Sequence, residues 1–219
     1  MTALENSLSI FKKPLVKSGT SGKYWYSVEH ISEIQAMIGY LREVHDYIKA
    51  MPKYRPVKEA LFLRDNTFDE ISQIFPRLET FREKYGMDKR MTYLEYKGRH
   101  TYLNLPHDHE SIETTIFFPI HYSAYAGTAF FEPTLEQTIE IKPLKLGVAL
   151  GDPPGKPRYS CPIDTVPIEI AGGNRPMVFK TDVLHNAYET VIGHPDNYSR
   201  VSVAWDSKRK FSDMVASLS

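Results

Sequence analysis

Beyond Gly86 the chain is a succession of short β-rich runs separated by Gly, Pro and Asn, and this spacing restricts the fold more than any other feature. The runs cover residues 91–96, 100–106, 113–122, 128–131, 137–150, 165–170, 176–179, 187–192 and 200–205. Many short strands with turn signals between them argue for a sandwich or a barrel and against an α/β fold. The Pro- and Gly-rich stretch 151–157 reads as a loop at a rim.

Two helical patterns precede the β-rich part. Between residues 27 and 51, Ile31, Ile34, Ile38, Leu41, Val44 and Ile48 recur at three- and four-residue spacing, which makes one apolar stripe. A second pattern opens at Thr67-Phe68-Asp69-Glu70, a capping-box signature, and continues through Ile71, Ile74, Leu78 and Phe81 to Gly86. Pro76 lies inside it and predicts a kink or a break. The link between the helices holds Pro52 and Pro56, with a short strand expected at 60–63. Helices of this kind buttress one outer face of a β fold. The expected organisation is therefore a single domain: a helical support region at 1–90, a β core at 91–206 and a C-terminal tail at 207–219.

Composition narrows the function classes. A chain of 219 residues suits one domain with a sizeable core. Lys+Arg 27 offsets Asp+Glu 27, so net charge gives no electrostatic reason to expect nucleic acid or a membrane surface as partner. The lone cysteine, Cys161, excludes an internal disulfide framework and fits a reducing compartment. No stretch approaches the ~18 apolar residues of a spanning helix. The expectation is a soluble cytoplasmic protein acting on a small molecule or peptide that the sequence does not name.

Chemistry concentrates in Pro106-His107-Asp108-His109-Glu110. On an extended segment His107 and His109 project from one face. A third imidazole, His185, follows a Gly172-Gly173 turn and a strand ending at Phe179. In Arg200-Val201-Ser202-Val203-Ala204-Trp205, Arg200, Ser202 and Ala204 face one way and the apolar residues the other. Each feature alone has an ordinary reading: a solvated polar loop, a buried histidine held by backbone, a strand with a wet face. Together they are the parts of a mononuclear metal site with an adjoining anion subsite, since neutral imidazole donates one nitrogen to a metal and guanidinium pairs with carboxylate. Asp108, His109, Glu110 and Glu113 all stand open as the third ligand.

With these residues in view, the chain resembles the Fe(II)/2-oxoglutarate-dependent oxygenase superfamily over roughly 91–206. The resemblance rests on Tyr93-Leu94-Glu95-Tyr96-Lys97-Gly98, on Gly173-Asn174-Arg175-Pro176-Met177-Val178-Phe179 leading to Leu184-His185, and on the Arg200-Val201-Ser202 finish. It implies a mainly β fold, a double-stranded β-helix of the jelly-roll or cupin-like kind, with N-terminal support helices. It also implies Fe(II), or another divalent metal, and 2-oxoglutarate as co-substrate, with His107 the proximal ligand and His185 the distal one. Arg200 and Ser202 would bind the far carboxylate of 2-oxoglutarate, and a substrate C–H bond would be hydroxylated. The family pattern is His-x-Asp or His-x-Glu, whereas this chain has His109 at that place. The expected metal set is thus His107, His109 and His185, with no catalytic residue beyond the ligands. His107-x-His109 followed by Glu113 also resembles the first cupin motif. A three-His metalloenzyme that does not use 2-oxoglutarate therefore stays open, as does a non-catalytic binding module on the same barrel.

Overall fold

The computed structural model describes residues 21–52, 60–97, 108, 112–121, 126–141, 158–162, 165–172, 175–189 and 199–218. The chain is mainly β, with antiparallel sheets and few helices. The expected run 100–106, residues 142–150 of the run 137–150 and the loop 151–157 lie outside the described residues.

The apolar stripe of the first helix becomes its buried face. Helix α1 (Ser32–Ala50) buries Ile34, Met37, Leu41, Val44, His45 and Ile48, with Ile31 and Ile38 packed at the margin. It begins later than the sequence pattern because Trp25–Ser27 form strand β1 instead. The second helical pattern is broken at Pro76 into α2 (Asn66–Ile74) and α3 (Arg77–Tyr85). Pro76, which has no N–H to donate, serves as the N-cap of α3. The capping box expected at Thr67–Glu70 does not form: Asp65 is the N-cap of α2 and makes no side-chain cap hydrogen bond. Gly86 closes α3 in the left-handed conformation, φ 65°, which a side chain would disfavour. A Cβ there would also lie 2.8 Å from Arg209 Cδ.

The strands are β2 (Ala60–Arg64), β3 (Met87–Lys97), β4 (Thr114–His121), β5 (Ala126–Phe131), β6 (Ile139–Ile141), β7 (Arg158–Ser160), β8 (Glu169–Gly172), β9 (Met177–Lys180), β10 (Leu184–Glu189) and β11 (Ser199–Ser207). They form a six-stranded sheet in the order β1-β9-β4-β11-β3-β2, a three-stranded sheet β10-β5-β8 and a β6-β7 pair. Three features depart from the sequence reading. Residues 165–168 carry no strand, because Pro167 withholds a donor and Thr165 N turns back to Pro162 O. Beside the expected β2, the support region contributes β1 and the start of β3 to the large sheet, and the tail forms α4 (Phe211–Leu218).

Strand alternation gives the large sheet two buried faces. On one, Ile116, Phe118, Ile120, Val178, Val201, Val203 and Trp205 form a common core with the helices. Trp205 anchors it: the ring stacks on Phe81 at 5.3 Å between centroids, and Nε1 donates to Asp88 O at 2.9 Å. Full burial of each such aromatic contributes about 1.5–3 kcal/mol. On the other face Trp25, Phe117, Met177 and Phe179 meet Phe130 and Ala171 of the small sheet. The space between the sheets is where the candidate site lies. No helix among the described residues is long and apolar enough to cross a membrane.

Candidate metal centre and anion subsite

One layer of the inter-sheet space can be followed from strand to strand. In the small sheet, Phe130 of β5 is paired with His185 of β10 on one side and Glu169 of β8 on the other. In the large sheet, Phe179 of β9 is paired with Trp25 of β1 and Thr115 of β4, and Thr115 is paired with Asp206 of β11. The two rows touch: Trp25 Nε1 donates to Glu169 Oε1 at 3.0 Å, Phe130 meets Phe179 at 6.0 Å, and Phe179 meets His185 at 5.0 Å between ring centroids. His185 and Asp206 therefore belong to the same layer, reached from opposite sheets.

His185 is 6% exposed. Its Nδ1 lies 2.8 Å from Val183 O. A carbonyl only accepts, so Nδ1 carries a proton, and in the neutral ring Nε2 carries the lone pair. This is the arrangement of a metal-binding imidazole, where a backbone acceptor fixes the tautomer and aims the donor nitrogen.

Asp206 is 8% exposed and accepts a hydrogen bond from Thr115 Oγ1 at 2.8 Å. Burial pushes its carboxyl up to about 7, and the nearby Asp88 adds to the rise. The Thr115 hydroxyl, Arg90 and Arg64 pull the other way. Opposite it, β3 loses register: Trp205 pairs with Met91 but Ser207 pairs with Met87, so Asp206 faces an irregular stretch of backbone.

Ser202 stands on the same face of β11 as Asp206, about 13 Å along the strand at ~3.3 Å per residue. It is paired with Leu94 and Pro119 and is fully buried. Among the described residues its Oγ has no hydrogen-bond partner. The polar face of β11 is thus an interior surface at Ser202 and Asp206, not a wet one. Arg200 is opposite Tyr96 in β11, and its side chain lies outside the described atoms.

His107, His109 and Glu110 lie outside the described residues. Asp108 is half-buried and its Oδ1 accepts from the backbone N of Tyr159 at 3.3 Å, which ties it to β7. Glu113 is exposed, and its backbone N donates to Ser207 O at 3.1 Å. The described residues hold no group of three or more His, Cys, Asp or Glu able to bind a metal, so of the expected ligands His185 is the one whose geometry is seen. Sequence reasoning missed Asp206, Thr115 and the Trp25–Glu169 bridge. The signal for Asp206 was present, since the alternation of Arg200, Ser202 and Ala204 runs one step further to it.

Of the residues the resemblance implies, His185 and Ser202 are the ones whose side chains are described. His185 offers an oriented nitrogen of the kind divalent iron, nickel or zinc takes. The buried Ser202 hydroxyl is an orphan that an anionic oxygen would satisfy.

No protein-family model matches the chain, and no curated protein matches it. Solved structures that it is similar to include the non-heme α-ketoglutarate-dependent carbocyclase SnoK from nogalamycin biosynthesis, at 13% identity and a TM-score of 0.42, over 84% of this chain and 79% of that one. Another is the epimerase SnoN in complex with Fe3+, α-ketoglutarate and nogalamycin RO, at 12% identity and a TM-score of 0.38, over 84% and 78%. A third is HygX from Streptomyces hygroscopicus with nickel and 2-oxoglutarate bound, at 10% identity and a TM-score of 0.33, over 83% and 81%.

Proposed function

We propose that the chain is a metal-dependent oxygenase on a double-stranded β-helix, carrying out Fe(II)/2-oxoglutarate-dependent hydroxylation of a small molecule or peptide. The observation that carries the reading is Ser202, a fully buried hydroxyl with no partner among the described residues, on the strand where Arg200-x-Ser202 would hold a carboxylate. A buried polar atom left unpaired costs about 1–3 kcal/mol and persists where a ligand pairs with it. When bound, iron with 2-oxoglutarate and O2 supplies the oxidation of a substrate C–H bond, with succinate and CO2 as products.

The chain's own residues have three tasks. His107, His109 and His185 hold the metal, with the His185 tautomer set by the Val183 carbonyl. Arg200 and Ser202 hold the far carboxylate of the co-substrate, the guanidinium bidentately and the hydroxyl as a further donor. Phe130, Phe179 and Phe117 keep the surrounding space apolar and exclude water, which strengthens each of these interactions.

Anaerobic calorimetry on the metal-loaded protein tests this. Micromolar to millimolar 2-oxoglutarate should bind the wild type. Arg200→Ala should bind it about a hundredfold or more weakly, since removing one member of a desolvated ion pair costs about 3–5 kcal/mol. Metal content should stay unchanged. Metal uptake without any 2-oxoglutarate binding would favour instead the three-His metalloenzyme to which His107-x-His109 points. Uptake of neither would leave a binding module.

A further inference from the structure

We infer that the cleft between residues 132–139 on one side and 159–162 and 165–168 on the other is a docking surface for a basic, aliphatic polypeptide segment. The inference goes beyond the oxygenase reading and does not depend on it.

The surface is marked by where apolar groups are left in water. Six large apolar side chains are exposed among the described residues, and only Ile74, at the end of α2, lies elsewhere. The other five, Leu135, Ile139, Tyr159, Val166 and Ile168, all belong to these segments. Scattered exposed apolar residues are ordinary, whereas a concentration of them marks an interaction site. The segments adjoin: β6 and β7 pair through Ile139 and Ser160, and Ile168 N donates to Phe130 O at 2.9 Å near the end of β5. Glu132, Gln137, Pro162, Thr165 and Val166 line an open cleft of about 470 Å³ between them.

The most exposed of the five is also held in place. Leu135, 94% exposed, opens a single 3-10 turn (Leu135–Gln137). Thr134 and Gln137 close that turn with a reciprocal capping box, in which Thr134 N donates to Gln137 Oε1 at 3.1 Å. Thr138 Oγ1 adds a donation to Thr134 O at 3.0 Å. A leucine carried on a fixed turn costs little ordering when it is covered, which suits an anchor residue. A side chain standing so far out is covered by a chain that runs across both segments, not by a small molecule seated in the cleft.

Charge selects the occupant. These segments contain no lysine or arginine, and Glu132 and Glu136 stand on either side of Leu135 in the chain. Lys23 pairs with Glu132, while Glu136 is exposed and makes no ion pair among the described residues. A second copy docked about a two-fold axis would bring this acidic surface onto itself. Nucleic acid or an anionic bilayer would meet the same repulsion. A polypeptide with lysine or arginine between aliphatic residues matches both features, its aliphatic groups against Leu135 and Val166 and its cations against Glu136.

Fluorescence anisotropy with a short labelled peptide alternating lysine and leucine, on the full chain with chelator and without 2-oxoglutarate, tests this apart from any metal. The wild type should bind it, more weakly as salt rises, and should not bind the same peptide with glutamate in place of lysine. Leu135→Ala should weaken binding about tenfold, as truncating an interface anchor does, and Glu136→Lys should weaken it severalfold. Both side chains are exposed, so the thermal midpoint should stay unchanged in each variant. Equal affinity for the two peptides, or unchanged affinity in both variants, would overturn the inference. Sedimentation of the protein alone reads the second copy: a dimer that Leu135→Ala dissociates would give the surface to self-association and overturn it. Peptide binding that appears only once residues 1–20 are removed would overturn it as well, in favour of the chain's own N-terminal segment.

Discussion

Trp25 and Glu169 join the two sheets on one side: the indole Nε1 donates to Oε1 at 3.0 Å, and the backbone N of Lys23 donates to the same oxygen at 3.1 Å. The other oxygen, Oε2, is buried and without a partner among the described residues. The Lys23 ammonium reaches Glu132 at the end of β5, which adds a more exposed ion pair to the same seam. Gly22 lies so close that a Cβ there would fall 1.5 Å from Glu169 Oε1. The seam thus depends on a bare glycine, an indole and a carboxylate, and it fixes the small sheet over the large one.

Trp25→Phe should keep the ring and lose the bridge. Since Oε1 would retain only the Lys23 amide, the expected cost is about 1–3 kcal/mol, read as a lower urea midpoint at unchanged slope. Gly22→Ala should cost at least as much, because the carboxylate has no room to stay. A midpoint unchanged in both variants would show that the seam does not hold the sheets.

Ser202→Ala separates function from stability. Removing an unpaired buried hydroxyl takes away a desolvation cost, so thermal stability should hold or rise. Affinity for 2-oxoglutarate should fall about fivefold, the worth of one hydrogen bond of ~1 kcal/mol. Differential scanning calorimetry and ligand titration on the same sample check both halves. A fall in stability with unchanged affinity would place Ser202 in the framework alone.

His45 should make the fold acid-sensitive. Burial and then the Lys49 ammonium hold its imidazole below the ordinary value, with His121 adding slightly and Glu95 and Asp46 opposing. Its Nδ1 has no hydrogen-bond partner among the described residues, and its ring stacks on Tyr93 at 5.4 Å. The unfolded chain, with a histidine near its ordinary pKa of about 6.5, binds the proton more readily than the fold does. This contribution is therefore fully present above about pH 6.5 and is lost as pH falls from there through the lower folded value. Denaturation at pH 7.5 and 5.5 should show a smaller loss for His45→Phe than for wild type.

Trp205→Ala should be the most damaging single truncation on the helix side. The indole packs between Phe68 and Phe81 at 5.9 and 5.3 Å and also donates to Asp88 O. A cavity of that size costs about 3–5 kcal/mol, which is a large part of a typical domain's stability. Loss of cooperative unfolding, seen by near-ultraviolet circular dichroism, is the expected readout.

The sequence was most legible where one period ran long enough to stand out. Six apolar residues, Ile31 at the N-cap and five within α1, recur at helical spacing, and all six are buried or packed against the core. Pro76 marked the break between α2 and α3 because a missing N–H acts locally. Strand β1 was hidden, since three residues show no alternation and its pairing with β9 is distant in the chain. Helix α4 repeats Phe211, Met214, Val215 and Leu218 at helical spacing, a signal masked by its shortness. At the site, the inward face of β11 could be read from alternation, whereas the Trp25–Glu169 bridge spans 144 residues and exists only once both sheets have formed.

The two buried faces of the large sheet divide substitutions by parity. In β11 the odd-numbered Val201, Val203 and Trp205 belong to the helix-packed core, and the even-numbered Ser202 and Asp206 to the space between the sheets. Point substitutions at even positions therefore change the space between the sheets while the odd positions keep the chain folded. An inserted residue cannot be so selective. One extra position between Arg200 and Ser202 would slide the strand by a single step, turn hydroxyl and carboxyl toward the helices and send valines and tryptophan into the space between the sheets. Descent by substitution is open to this strand, and descent by insertion is closed.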